Sequence, residues 1–457
     1  MATRTVSRRG REIRRKGPVE FPYTEPDVRQ ISQRLQEPKW LAQRRMQAWE
    51  AFQAAPLPSV KEEAWRRTDL SGMPSDRFVL SPADGLQVDP HLLEPLAAEQ
   101  HGALLVLQPG APPRLEGDPG PIASGVLLAD WATAVRRHPA LLKKHLGTVV
   151  DHGEGKFAAL AAALAEDGVL VHVPPGVQVG QPLHSVLWAP GGEKAFFSRV
   201  LVIVEAGATA TYVHETASPT LGANGAAANH PTLHAGTVEI LLGEGAQLTF
   251  VELQNWGEHV WNFTHERARV GRAGVLNWIF GSVGSRLTKN FSELSLEGEG
   301  AEGRMSGFYF AGGNQHLDHD TQQNHRAPHT TSDLLFKGAL VERSRSVWQG
   351  MIYVAPGAQR TDGYQANRNL ILSKQARADS IPGLEILADD VRCTHGATVS
   401  QLEEEPIFYL MSRGLPRRQA EQLVVEGFFA PIMQRIPFEA VRQRLEAVID
   451  RKLGGGV

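Results

Sequence analysis

Two segments decide the fold class: VLVIVEAGATATYV (residues 200–213) and VEILLGEGAQLTFVEL (residues 238–253). Each contains a run rich in Val, Ile and Leu, a turn with Gly, and a second apolar run. Short β-branched and aromatic runs bounded by a Gly turn are typical of strands. Because no helical pattern separates the runs, these segments predict consecutive strands.

The same pattern recurs at a loose spacing between residues 168 and 357. A loose period of about 30 residues, built from strands alone, indicates stacked supersecondary units. Stacked coils of a β-helix explain this spacing better than a jelly roll, which also has short strands and Gly turns. The turn glycines are Gly176, Gly207, Gly245, Gly274, Gly300 and Gly357, with gaps of 31, 38, 29, 26 and 57 residues.

Helical periodicity marks the segments on either side. Val28, Ile31 and Leu35 are spaced for one helix face. A later helical stretch, over residues 156–168, is predicted to end at Gly168. The sequence therefore predicts a mainly β protein in four parts: a basic flexible arm (1–20), a mostly helical N-terminal region (21–167), a β-helix core (168–399) and a C-terminal helical module (400–457).

The C-terminal module is rich in apolar side chains for its length. In its second predicted helix, the apolar face is expected to consist of Ala420, Leu423, Val424, Gly427 and Phe428. A segment this short cannot easily bury all its apolar residues alone, so we expect it to dock a partner. The residues expected to form the docking surface are Phe408, Leu410, Leu423 and Phe428.

Amino-acid composition further narrows the class of protein. The chain has 457 residues, a net charge of −3, 42% hydrophobic and 21% charged residues, which is ordinary for a soluble protein. No apolar run approaches the roughly 18 to 20 residues of a membrane span, so we expect no membrane partner. The basic arm could contact nucleic acid or anionic lipid, but a solvated terminus is favoured because nothing downstream resembles nucleic-acid machinery.

Cys393 is the only cysteine, and His395 follows two residues later. One cysteine excludes an internal disulfide framework and fits a reducing compartment. Since iron–sulfur clusters usually need four thiolate or imidazole ligands, this chain could hold one only with another subunit. In a strand the two side chains would share a face. A buried structural cysteine beside a core histidine is an equally open interpretation.

The His-rich run QHLDHDTQQNHRAPH (residues 315–329) carries no compact metal-ligand spacing. In a strand His316, Asp318 and Asp320 would share one face and His319 the other, so polar surface contacts are the favoured interpretation. Phosphate-loop, nucleophile-elbow and paired-carboxylate motifs are missing, and we expect no enzymatic activity from the chain alone. A carbohydrate-active β-helix enzyme would need converging carboxylates, for which the candidates are Asp318, Asp320, Asp389 and Asp390.

Residues 384–428, LEILADDVRCTHGATVSQLEEEPIFYLMSRGLPRRQAEQLVVEGF, closely resemble the C-terminal signature of the SufB/SufD family of the SUF iron–sulfur cluster assembly system. So do residues 333–372, DLLFKGALVERSRSVWQGMIYVAPGAQRTDGYQANRNLIL. The resemblance extends over roughly residues 164–429. It implies a right-handed parallel β-helix core with helical regions at both ends.

Within this family the chain resembles the SufD type more than the SufB scaffold. The scaffold type reads CDSLLI where this chain reads NRNLIL, so Asn367 occupies the position of the cluster-building cysteine, and HGAT from His395 replaces HEAT. Residues 37–52, EPKWLAQRRMQAWEAF, resemble the scaffold type instead. A SufB-like or homodimeric cluster scaffold is therefore the alternative.

The resemblance also implies partners and a site. His395 matches the SufD histidine at the interface with SufB, where the cluster forms, and would be a metal ligand shared between subunits, with Cys393 beside it. We expect pairing at residues 389–399, a SufC-type ATPase on the C-terminal module, and a homodimer when isolated. We also expect a cytoplasmic location, no tightly bound cofactor in the chain alone, and a transient cluster or iron, with reduced flavin, in the complex.

Overall fold

The computed structural model describes residues 21–80, 102–117, 125–189, 192–218, 230–436 and 439–454; the predicted basic arm lies outside these ranges. Five N-terminal helices are described: α1 (Glu25–Leu35), α2 (Lys39–Ala54), α3 (Trp131–Arg137), α4 (Pro139–His145) and α5 (Lys156–Leu164). The C-terminal helices are α6 (Glu404–Ser412), α7 (Arg417–Met433) and α8 (Glu439–Lys452).

Strands occupy most of the remaining described residues. The first four are β1 (Val79–Leu80), β2 (Ala103–Leu107), β3 (Arg114–Glu116) and β4 (Leu127–Asp130). The next eight are β5 (Asp167–Val173), β6 (Leu183–Trp188), β7 (Lys194–Val204), β8 (Thr209–Ala217), β9 (Thr232–Leu242), β10 (Gln247–Asn255), β11 (Val260–Val270) and β12 (Val275–Ser282). The last eight are β13 (Leu287–Leu296), β14 (Glu302–Ala311), β15 (His316–His325), β16 (Thr331–Leu340), β17 (Arg345–Val354), β18 (Asp362–Ile371), β19 (Arg377–Ile386) and β20 (Arg392–Gln401).

From β5 onward the strands form a parallel β-solenoid of about eight turns, with two strands in each turn. In this solenoid the odd-numbered strands build one sheet, which we call sheet A, and the even-numbered strands build sheet B; β4 joins sheet A, and β2 and β3 join sheet B. Each strand pairs in parallel with the strand two positions later in the chain. The predicted β-helix core is confirmed, and the jelly roll is excluded because its strands would pair antiparallel.

The turns that join sheet A to sheet B stack on one another. The left-handed residues Gly207 and Gly245 have φ of 65° and 63°, and their N–H groups donate to carbonyls of the following coil at 2.8 Å. Two members of this series are not glycine. Ala273 (φ 50°) rather than Gly274 takes the left-handed conformation, and His329 (φ 59°) lies in the long gap before Gly357. The double-length gap therefore contains a turn without a glycine.

The N-terminal helices cover the outer face of sheet A. Val28, Ile31 and Leu35 of α1 are buried together as predicted, and Phe157 of α5 stacks on Phe263 of β11 with ring centroids 3.7 Å apart. The predicted helix end at Gly168 is wrong. α5 ends at Leu164 and Gly168 lies inside β5, where a Cβ atom would come within 2.1 Å of the Arg199 carbonyl oxygen.

The C-terminal helix α7 covers the outer face of sheet B. Its buried residues are Ala420, Val425, Phe429, Ile432 and Met433, and Phe429 packs against Phe308 with ring centroids 6.0 Å apart. Of the residues predicted to share one apolar face of this helix, Ala420 is buried, Leu423 is exposed, and Val424 and Phe428 are half-buried. Part of the module's apolar surplus is buried against the chain's own solenoid.

No helix among the described residues is long and apolar enough to cross a membrane.

Candidate functional site

The last coil of the solenoid, β19 and β20, has an open side. β19 pairs with β17 and β20 pairs with β18, and neither has a second strand neighbour among the described residues. An edge strand presents N–H and C=O groups that can pair with another chain. This coil contains residues 389–399, where pairing is expected from the sequence.

Cys393 and His395 both lie on β20, one residue apart. They pair with Gly363 and Gln365 of β18, which are both buried, so the two side chains follow the inward-facing row of the neighbouring strand. His395 is nevertheless exposed and Cys393 half-buried, since no further coil covers them. The structure places an imidazole and a thiol side by side on the open coil.

Cys393 is the less reactive of the two by environment. Its Sγ would lie 3.3 Å from a Cβ on Gly363, and the side chain packs against the small cluster of Ile352, Val354 and Ala358. Burial raises the pKa of the Cys393 thiol. Because the thiolate is the nucleophile and the metal ligand, this position favours the protonated, less reactive thiol.

Asn367 is one strand inward from the open edge. It pairs with Ala397 of β20 and is fully buried. Its Nδ2 donates to the Tyr309 hydroxyl at 3.2 Å, and its Oδ1 accepts from Asn369 at 2.6 Å. The position that the family resemblance assigns to a scaffold cysteine is thus filled by a structural amide, which lies beside Ala397, two residues beyond His395 on the neighbouring strand.

The His-rich run forms β15, with its faces as predicted, but the expected surface location is wrong for Asp318 and His319, which are both buried. Asp318 is fully buried and pairs with Lys289 at 3.0 Å, and His316 Nε2 lies 2.8 Å from Thr68 Oγ1. His319 points to the other face and stacks on Tyr309. Among the described residues no group of three His, Cys, Asp or Glu could hold a metal ion.

A polar row inside the solenoid is not anticipated by the sequence analysis. His234 Nδ1–H donates to Asn262 Oδ1 at 2.6 Å, and its Nε2 accepts from the Ser198 hydroxyl at 2.8 Å. Burial lowers the pKa of His234 to about 4. Burial likewise raises the pKa of Glu266 to about 7, and Ser292 donates to it at 2.9 Å. The alternation of polar residues in β8–β13 could have indicated this row, but the pattern does not show which face of each strand points into the solenoid.

The predicted docking residues differ in exposure. Phe408 on α6 is 72% exposed and Leu423 on α7 is 45% exposed, whereas Leu410 and Phe428 are half-buried. Phe428 contacts the solenoid, with Lys337 Nζ 4.7 Å from its ring centroid. Among the described residues of this module, the large exposed apolar side chains, which we call the α6–α7 patch, are Phe408, Tyr409, Met411 and Leu423.

The architecture defines a class: parallel β-solenoids with helical regions at both ends and an open final coil. The chain belongs to the SufBD family. Residues 187–428 match the model for "SUF system FeS cluster assembly, SufBD core domain", and residues 115–184 match "SufBD protein N-terminal region". The predicted family is thereby confirmed, together with its link to iron–sulfur cluster assembly.

Relatives of both subunit types are similar to this chain. It is 30% identical to the iron–sulfur cluster assembly protein SufD of Bacillus subtilis, covering 93% of this chain and 97% of that protein. It is 29% identical to SufB of the same organism, covering 91% and 90%. A SufBD family protein of Staphylococcus saprophyticus is 27% identical, covering 91% and 90%. Identity alone therefore does not separate the two subunit types.

Proposed function

We propose that this chain is a SufD-type subunit of a SufB–SufC–SufD complex and assists iron–sulfur cluster assembly and iron acquisition without catalysing a reaction alone. The observation that carries the proposal is the open final coil, with His395 exposed and Cys393 beside it. An edge of this kind is suited to pairing with the corresponding strand of a second β-solenoid. The nascent cluster or iron is cargo held at that contact.

The number of side chains that could bind a cluster supports the SufD type over a self-sufficient scaffold. The chain has one cysteine, and Asn367, at the scaffold's cysteine position, is held by hydrogen bonds in the interior. A partner must therefore supply the remaining thiolates of a cluster. His395 can contribute a neutral imidazole to iron. Reduced flavin, if the complex uses it, belongs to the complex rather than to this chain.

The α6–α7 patch is proposed as the site for the SufC-type ATPase. Large exposed apolar side chains grouped on one module mark protein–protein contacts, and aromatic anchors such as Phe408 and Tyr409 dominate such interfaces. Because α7 is fixed to sheet B through Phe429, movement of a bound ATPase would act on the solenoid through a packed contact. We propose a cytoplasmic location for the complex.

The test is co-expression with SufB-type and SufC-type partners, comparing the wild-type chain with His395→Ala. We expect an assembled complex by size exclusion but a loss of most iron, sulfide and visible absorbance. The matched control is His230→Ala, an exposed histidine outside the last coil. Normal cluster content in His395→Ala, or an equal loss in the control, contradicts a role for His395.

A SufB-like homodimeric scaffold is the second candidate, because the identity to SufB is nearly the same as to SufD. Anaerobic reconstitution of the purified chain with iron and sulfide separates the two. A stable dimer that holds a cluster alone favours the scaffold; a chain that takes up a cluster only with a SufB-type partner favours the SufD type.

A further inference from the structure

A groove of about 710 Å³ lies between the N-terminal segment around Arg67 and the solenoid corner at which β11, β13, β15 and β17 begin. Five arginines and two carboxylates line it, so their formal sum is 5 − 2 = +3, in a chain whose net charge is −3. Three of the arginines pair with carboxylates outside the lining: Arg67 with Glu63, Arg77 with Glu193 and Arg345 with Asp379. The positive charge that can attract an anionic ligand therefore lies mainly on Arg286 and Arg343. The charged residues are Arg67, Arg77, Arg286, Arg343, Arg345, Asp69 and Glu258.

Two of these arginines are held in place without a carboxylate partner. Arg343 Nε donates to Asn314 Oδ1 at 3.0 Å, and Arg286 Nη1 donates to the Asn314 carbonyl oxygen. Neither forms an ion pair in the part of the chain that the structure describes. One residue therefore orients both guanidinium groups at the corner, and both remain exposed.

The floor of the groove contains polar groups that lack partners. Arg67 Nη1 is buried without a hydrogen bond within the described ranges, and its contact with Glu63 is long, 3.8 Å. His259 is 2% exposed, and neither ring nitrogen has a hydrogen-bond partner among the described residues. Buried polar groups without partners cost free energy, and a bound ligand supplies such partners.

We propose that this groove binds a small molecule carrying a phosphate or diphosphate group. Guanidinium groups match phosphate oxygens with paired hydrogen bonds, and four of the five arginines (Arg67, Arg286, Arg343 and Arg345) come from elements that meet at one corner. The volume is within the range of small-molecule sites, about 300 to 1,000 Å³. Half-buried Trp261 and buried Leu287 provide apolar wall for the organic part of the ligand. This inference does not rest on the role in cluster assembly.

Isothermal titration calorimetry on the full chain tests it, with inorganic pyrophosphate, AMP and citrate as separate probes. We expect pyrophosphate and AMP to bind and citrate to bind more weakly. The double variant Arg286→Gln/Arg343→Gln should bind pyrophosphate about tenfold or more weakly, since it loses charge-assisted hydrogen bonds. Arg272→Gln, an exposed arginine at the opposite corner of the coils, should bind as the wild type does.

Three results overturn the proposal: no binding of either phosphate probe to the wild type, citrate binding as tightly as pyrophosphate, or equal weakening in Arg272→Gln. Circular dichroism of each variant checks the fold. If the double variant loses its native spectrum, the single variants Arg286→Gln and Arg343→Gln replace it, and unchanged affinity in both then counts against the site.

Discussion

Replacing Asp318 by Asn should destabilise the protein by about 3 kcal/mol. Lys289 and Asp318 are both fully buried, with Nζ and Oδ1 3.0 Å apart, and Thr68 of the N-terminal segment donates to the same carboxylate. Removing one partner of a buried ion pair typically costs about 3 to 5 kcal/mol because the other charge is left uncompensated. Asp320 lies 3.6 Å from Lys289 Nζ and still partly compensates its charge, so we expect a loss of stability at the lower end of this range.

Urea denaturation followed by tryptophan fluorescence measures this effect. Lys289 Nζ lies 5.7 Å from the ring centroid of Trp65, which is one of nine tryptophans, so the transition includes the packing of the N-terminal segment against sheet A. The matched control is Arg417→Gln, which breaks an exposed 2.6 Å pair with Glu404. Exposed pairs contribute about 0 to 1 kcal/mol, and the control should shift the midpoint little.

If the free energy of unfolding of Asp318→Asn lies within about 0.5 kcal/mol of the wild-type value, a typical change for a surface substitution, the buried pair does not contribute as expected. A second variant sharpens the test. Lys289→Met/Asp318→Leu removes both fully buried charges and should be more stable than Asp318→Asn, because the Lys289 ammonium is no longer left in the interior without Asp318, and Asp320, which loses Lys289, is partly exposed. If the double variant is the less stable one, the loss comes from packing rather than from charge.

Three further predictions follow from the interior and the open coil. Burial lowers the pKa of His234 to about 4, so the unfolded chain takes up the proton first as pH falls below about 6.5, and this group alone should cost about 2 kcal/mol of stability by pH 5. In urea denaturation at pH 7.5 and pH 5, the free energy of unfolding of His234→Gln should therefore fall by about 2 kcal/mol less than that of the wild type. Equal losses in the two proteins contradict the assignment. Gly338→Ala should lower the free energy of unfolding by about 1 to 3 kcal/mol, because its Cβ would lie 2.0 Å from a ring carbon of Tyr309. The control is Gly396→Ala, whose Cβ would have nothing within 4 Å, and equal effects of the two substitutions refute the packing argument. Since burial raises the pKa of Cys393, iodoacetamide at pH 7.5 should alkylate it more slowly in the folded chain than in urea, and equal rates contradict the burial.

The solenoid could be predicted because each coil repeats the same local signal. A strand, a left-handed turn residue and a second strand recur whatever the side chains pack against. The coil boundary at His329 was missed since the prediction followed glycine alone, and a histidine with φ of 59° takes the same place. Which face of α7 is buried could not be predicted either, because Leu423 and Val425 both belong to apolar stripes and only the outer face of sheet B selects Val425.

The candidate site was predicted in part. Spacing alone placed Cys393 and His395 on one face of a strand, and the structure agrees. Their difference in exposure depends on the end of the coil stack, which no local pattern encodes. The arginine groove was also invisible in the sequence, because Arg67 and Arg343 are brought together only when the N-terminal segment lies along the corner of the solenoid.

The pairing of each strand with the one two positions earlier bears on how the chain folds during synthesis. From β7 to β20 a strand needs only residues that have already left the ribosome, so coils can be added in the order of translation. The coil with Cys393 and His395 is then the last to form, shortly before α6. A chain that stops early would lack the last coil, so the edge proposed to bind a partner would be present only on completed molecules.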